Sequence, residues 1–309
     1  MPLLRRRSVF AAKVEATIGT AESLTAAEGV FNAMNVSIQP NITLDEREGQ
    51  GGFNYLPGVP GIRSGTATFT TELSFDGADL PTWASVLLPA CGWVASGQVF
   101  SPKSVGPGSD VKTLTIGAYV DGMYRVLSGC MGTFVVNLPT GRAATIDWTF
   151  QGKWTNPTDV AIISPTYPTT LPRRFAEGSL AFNSVNLCVS STTIDAGNEV
   201  ILRECAGDIT GIKSALITNR KPTITADPEM VLAASQDRHG LWLTPSPEAL
   251  VATIGTAGTG LVVFTAAEAQ LENIQQGERT GLLTDNLTWT ATKASTADTE
   301  LTITFTDAV

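Results

Sequence analysis

Three stretches of the chain alternate apolar and polar side chains residue by residue, and a period of two leaves few folds open. From Asn35 to Asp45, Val36, Ile38, Ile42 and Leu44 alternate with Asn35, Ser37, Gln39, Asn41, Thr43 and Asp45, interrupted only by Pro40. From Gly65 to Leu73, Thr66, Thr68, Thr70 and Glu72 oppose Ala67, Phe69 and Leu73. From Ala144 to Lys153, Ile146, Trp148 and Phe150 oppose Thr145, Asp147, Thr149 and Gln151. Successive side chains of a strand point to opposite faces, so each stretch predicts a strand with one face in a core and one in water. Threonine supplies 41 of the 309 residues, and its branched, hydroxylated side chain suits a half-exposed pleat. The expected fold class is mainly β.

The first two strands are expected to pair antiparallel around a long charged, Gly/Pro-rich loop from Glu46 to Gly61. Pro81 at a helix N1 position, with Trp83, Val86, Leu87, Ala90 and Cys91 at helical spacing before Gly92, predicts a short helix over 81–91. Further strands are expected over 111–120, over 123–128 after a hairpin-type Asp121-Gly122 turn, and over 133–138. Four prolines between Asn156 and Arg174 read as a linker, dividing the chain into 1–155 and 175–309. The second part echoes the first. Leu44-Asp45 and Gly61 to Ser64 reappear as Ile194-Asp195 and Gly211 to Ser214; TATFTTE resembles TITADPE; Asn137 and Gly141 match Asn273 and Gly277; and Trp148/Phe150 matches Leu287/Trp289. An internal duplication is therefore expected, although two β-rich halves share such features readily. In the second half a helix is expected over 234–243, another in the PEALVAT segment, and strands over 260–265, 267–274, 282–292 and 300–306.

The composition closes off much chemistry. His239 is the only histidine, which excludes a His-cluster zinc site and leaves one candidate for any triad. The G-x-S-x-G elbow is absent, and GTAGTG at Gly255 to Gly260 has its glycines in the wrong order for a dinucleotide site. Acid pairs such as Asp45 with Glu46, or Glu46 with Glu48, read as solvated loop charges, so no enzyme, cofactor or metal is expected. A net charge of −9 and a pI near 4.7 oppose a grip on phosphates. Cys91, Cys130, Cys188 and Cys205 contain no C-x-x-C pair and read as buried small hydrophobes. The basic start MPLLRRRSVFAAKVEA has too short an apolar run for a secretion signal and reads as an ordered arm or mobile terminus. The most apolar window, Trp83 to Ala95, is too short to span a bilayer, so no membrane partner is expected.

The order of segments is informative. FAAKVEATIGTAESLTAAEGV, NVSIQPNITLDERE, a long loop, TATFTTEL, LPTWASVLLPACGW, the Val120 to Gly122 hairpin, GTFVVNLPTGRAATIDWTFQGKW with NPTD, and ITNRKPTITADPE together resemble the major tail tube proteins of long noncontractile-tailed bacteriophages, over about Phe10 to Thr306. The resemblance implies two tandem tail-tube-type β-sandwich or barrel domains, each with a short flanking helix. It also implies inner sheets that join across subunits into a β-barrel. Rings of three chains with pseudo-sixfold symmetry, alternatively six chains, would stack into a tail tube assembled in the host cytoplasm and carried in the virion. Implied partners are further copies of the chain, a tape measure protein, a tail terminator, baseplate or distal tail proteins, and DNA in transient passage.

On that reading the polar strand faces line the lumen: Gln39, Asn41, Thr43, Asp45, Thr68, Thr70, Glu72, Asp147 and Thr149 in the first half, and Thr193, Asp195, Thr225, Asn286, Thr288 and Thr290 in the second. The opposite strand direction turns this face outward. The loop carrying Glu46, Arg47, Glu48, Phe53 and Tyr55 is the expected contact with the next ring. The alternative is a β-sandwich virion decoration or adhesin-like protein that forms no tube.

Overall fold

The computed structural model describes residues 3–4, 6–77, 79–176, 178–244, 246–256 and 258–307. The first half contains β1 (Ser8–Val14), β2 (Ala33–Glu48), β3 (Tyr55–Glu72), α1 (Thr82–Leu87) continuing into a 3-10 turn (Leu88–Cys91), β4 (Trp93–Ser96), β5 (Val99–Pro102), β6 (Leu114–Val120), β7 (Met123–Pro139) and β8 (Thr145–Asp159). The second contains β9 (Ser179–Phe182), β10 (Val185–Leu187), β11 (Ser191–Asp195), β12 (Asn198–Glu204), β13 (Ile212–Arg220), β14 (Thr223–Ala226), α2 (Arg238–Leu243), β15 (Glu248–Gly255), β16 (Leu261–Arg279), β17 (Leu282–Ala291) and β18 (Thr302–Thr306).

The pairing order runs twice. In the first half β1 pairs with β6, then β6 with β7, β7 with β8, β8 with β3 and β3 with β2. In the second, β9 pairs with β15, then β15 with β16, β16 with β17, β17 with β14 and β14 with β11. The halves meet where β11 adds antiparallel to β7, from Ser191 opposite Pro139 to Asp195 opposite Val135. One sheet thus passes through both halves, with β12 and β13 as a separate two-stranded ribbon.

The core lies behind the strands whose alternation marked them. Trp148 is buried among Phe69, Phe134, Phe150 and Trp83, with ring centroids 5.4–6.4 Å apart. Trp83 comes from α1 and anchors its indole N–H on the Ser74 carbonyl at 3.1 Å, so this short helix packs against the sheet. In the second half Trp289 is buried against Phe182.

Several local expectations differ from the fold. The segment over 46–61 is mostly strand: β2 continues to Glu48, β3 begins at Tyr55, and bulges absorb the prolines and glycines. The expected strands over 123–128 and 133–138 are one strand, bent at an irregularity between Ser128 and Met131. PEALVAT is no helix; its Leu250, Val251, Ala252 and Thr253 alternate in burial between β9 and β16, and sheet neighbours override the helix-forming Glu-Ala-Leu start. β8 runs through 155–159 into the proline-rich segment, and Ser8–Val14, after the arginines, forms β1. Cys91 and Cys130 are buried, but Cys188 is exposed and Cys205 half-buried.

Glu15 is a buried carboxylate held on all sides. It accepts from Gly19 N (2.8 Å), Thr113 Oγ1 (2.6 Å), Thr115 Oγ1 (2.9 Å) and Gly129 N (2.7 Å), joining the N-terminal segment to β6 and β7. Glu15→Ala strands two buried backbone N–H groups and is expected to cost about 3 kcal/mol of stability. Urea unfolding of the unassembled chain measures it; a loss below about 1 kcal/mol would show that water replaces the carboxylate.

Candidate functional site

The joined halves give one polar face across eight strands. Glu72 (β3) lies opposite Thr145 (β8), Thr145 opposite Asn137 (β7), Asn137 opposite Thr193 (β11), Thr193 opposite Thr225 (β14), Thr225 opposite Thr288 (β17), and Thr288 opposite Asn273 (β16). A second row runs from Met34 (β2) through Thr70, Asp147, Val135, Asp195, Thr223 and Thr290 to Gln270 (β16). Because register along a sheet preserves the face, these side chains all stand on the side away from the tryptophan core.

Hydroxyls and amides tie the acids down. Thr70 Oγ1 donates to Asp147 Oδ1 at 2.6 Å and Asn137 Nδ2 to Asp147 Oδ2 at 2.7 Å, while Asp195 accepts from Gly197 N at 2.8 Å. Thr193 and Thr225 share a hydrogen bond between their hydroxyls. Asp227 and Glu229 extend the face beyond β14, and Arg279, a cation at the same end, is held by them at 3.4 and 3.0 Å. The face therefore presents mainly neutral hydroxyls and amides with scattered carboxylates, together with Met34, Val135 and the paired Arg279.

The strand-predicted residues divide into three groups. Thr68, Thr70, Glu72, Asp147, Thr149, Thr193, Asp195, Thr225, Asn286, Thr288 and Thr290 share this face. Gln39 and Asn41 adjoin it on β2, where Asn41 Nδ2 donates to Thr66 Oγ1 at 2.8 Å. Thr43 and Asp45 stand further out, beyond Ser64, where β3 no longer pairs with β8. Thr133, Thr145, Asn137, Thr223, Gln270, Asn273, Asp227 and Glu229 join the face without having been singled out. The alternation around Thr145 and Thr223 signalled them, but which strands lie beside them is a long-range fact.

Past Ser64, β2 and β3 form a projecting two-stranded arm. Ile42, Leu44, Tyr55, Leu56 and Val59 on it are 44–66% exposed, and Phe53 at its tip is fully exposed. Glu46, Arg47 and Glu48 lie on its β2 side, with Glu48 opposite Tyr55. The corresponding β12–β13 ribbon is instead folded onto the first half: its Val200, Leu202, Ala215 and Ile217 pack with Val111 and Met131, and Asn198 Nδ2 donates to the Cys91 and Gly132 carbonyls at 2.8 and 2.9 Å. At its turn Asp208 pairs with Lys153 at 3.1 Å. Hydrogen bonds from Thr210, with this lysine, hold the Asp208 carboxyl down at about 2.

His239 is exposed on α2, beside the buried ion pair of Arg238 and Asp285 at 2.6 Å. Among the described residues no cluster of three metal-ligating side chains occurs, and no helix is long and apolar enough to cross a membrane. A family model described as phage tail tube protein matches residues 5–291. A comparison with curated proteins finds no match.

Proposed function

The chain belongs to the phage tail tube protein family, and from that premise we propose that its copies close into rings that stack into a tube, with the polar face as the lining through which DNA passes. The observation that carries this is the continuous, predominantly polar face over eight strands of one chain. A face of that width, covered only where the β12–β13 ribbon packs over Met131, suits the wall of a water-filled channel. Three copies supply 24 strands, which at about 4.8 Å spacing close at roughly 37 Å across, wide enough for a double helix.

The repeated pairing order supports reading the two halves, 1–155 and 175–309, as duplicated tube domains with the segment over 156–174 between them. Each chain then fills two quasi-equivalent places, so a ring of three has pseudo-sixfold symmetry; six chains would double the circumference. The chemistry of the lining fits passage without arrest. Lysines or arginines would trap phosphates, whereas hydroxyls, amides and carboxylates do not. A ring of three carries roughly −27 from chains of −9, focused across a narrow bore. The arm tip, with Phe53 and Tyr55 exposed beside Glu46, Arg47 and Glu48, is the proposed contact with the next ring. The tube would enclose a tape measure protein and end on terminator and distal tail proteins in the virion.

Electron microscopy of the purified chain tests this. Rings or tubes with a central channel are expected, and an averaged top view counts three or six chains. Monomers persisting at every concentration and salt would overturn it in favour of a decoration or adhesin-like protein.

A further inference from the structure

The chain contains its own template for how copies meet. At the internal junction, β11 pairs with the outer edge of β7, and the β7–β8 turn seats beyond it: Thr140 donates N–H to Ser190 O and its hydroxyl to Val189 O, each at 2.9 Å, and Gly141 N–H donates to Phe175 O at 2.9 Å. Two edges of the same kind have no strand partner among the described residues. One is β2, paired only with β3; the other is β16 beyond Ala269, paired only with β17. In the pairing order β16 stands where β7 stands, and β2 where β11 stands. Such edges carry rows of free N–H and C=O groups that invite another strand.

Resting on the tail tube reading, we propose that the β16–β17 hairpin of one copy adds antiparallel to β2 of the next in the register of the internal junction. The buried tryptophans fix that register. Trp148 lies opposite Phe134 and Phe69, and Trp289 opposite Leu271 and Ile224. Counting from these, with the β16 irregularity at Leu271/Asn273 and the β2 irregularity at Met34/Ser37 included, the pair Asn137 and Thr193 maps onto Gln275 and Met34 of the next copy. Likewise Val135 and Asp195 map onto Asn273 and Ser37 of the next copy.

A second observation fits the same placement. The β16–β17 hairpin ends in Leu282 and Leu283, 51% and 50% exposed. Beside the root of β2 lies an open groove of about 900 Å³, lined by Phe10, Phe31, Asn32, Met34 and Tyr167 among others. β16 runs to Arg279, eight residues past Leu271, where β7 runs to Pro139, five past Phe134. The longer hairpin therefore reaches past the strand pairing, and its leucines enter the groove as the β7–β8 turn enters its seat at Val189 and Phe175. The occupant of the groove is a second copy of this chain.

Cysteine pairs test the register in a full-length chain with Cys188→Ser and Cys205→Ser. With Gln275→Cys and Met34→Cys, or Asn273→Cys and Ser37→Cys, oxidation of assembled protein is expected to give a ladder of covalently linked chains ending at the ring size. Gln275→Cys with Val36→Cys, which puts one thiol on the opposite face, is expected not to link. Leu282→Asp with Leu283→Asp is expected to leave the circular dichroism of the monomer unchanged and raise the concentration for half-assembly at least about tenfold. Rings that form without either register pair linking, or that tolerate both aspartates, overturn the junction while leaving the tube reading in place. Absence of rings from the unmodified chain overturns both.

Discussion

Tails built with Glu72→Lys and Asp147→Lys are expected to assemble at normal length and deliver DNA about a hundred-fold less efficiently. Both side chains stand on the polar face close to its β2 edge, Glu72 opposite Thr145 and Asp147 opposite Thr70. Neither touches the tryptophan core, so folding loses only the hydrogen bonds that Asp147 accepts from Thr70 and Asn137. Each exchange turns a repelling charge into one that pairs with phosphate, and every ring repeats it in every copy. A lysine contact releases counterions and strengthens binding in a salt-dependent way, so many weak contacts along a moving duplex sum to arrest. The measurement is DNA release from triggered particles at low and high salt, with Glu72→Gln and Asp147→Asn as controls that retain polarity without charge. Release should recover as salt rises. Normal release at low salt would remove these residues from the channel wall.

Removal of Gln50 to Gly58 is expected to leave rings and abolish tubes. The deletion joins Gly49 to Val59, which already lies opposite Asp45, leaving Glu46 to Gly49 as a short turn of ordinary hairpin length. No buried apolar residue is lost, because Phe53, Tyr55 and Leu56 are all exposed. The thermal midpoint should therefore stay within a few degrees, while the aromatic tip that meets the next ring, with Phe53 and Tyr55, disappears and Glu46, Arg47 and Glu48 are drawn back into the turn. Electron microscopy then finds single or short-stacked rings. Tubes of unchanged length would refute the stacking role and return the arm to an exposed, unengaged ribbon.

How far the sequence led differs from place to place. The alternation at Asn35 to Asp45, Gly65 to Leu73 and Ala144 to Lys153 marked strands that exist, and it assigned Thr68, Thr70, Asp147 and Thr149 to the face away from Trp148. The apolar spacing after Pro81 marked α1 for the same reason, since periodicity is local, although Pro81 stands at the N-cap in extended conformation and not at N1. The glycines and prolines of 46–61 misled, because a bulged ribbon carries the same punctuation as a loop. The echoed dipeptides misled in detail as well. Leu44-Asp45 lies out on the arm against Pro60 and Val59, whereas Ile194-Asp195 lies in the sheet between β7 and β14. What recurs is the order of pairing, which no single offset between residues expresses.

The sequence by itself determined that this chain makes strands, and which side chains share a face along each stretch free of bulges, because side-chain direction there depends only on position modulo two; the bulges at Met34/Ser37 and Leu271/Asn273 reset that count. The tertiary structure alone decided which strands are neighbours. Val135 meets Asp195 and Glu72 meets Thr145 through backbone hydrogen bonds that bring together residues 60 and 73 positions apart. Those pairings turn separate polar strand faces into one surface and leave β2 and the end of β16 as its open edges.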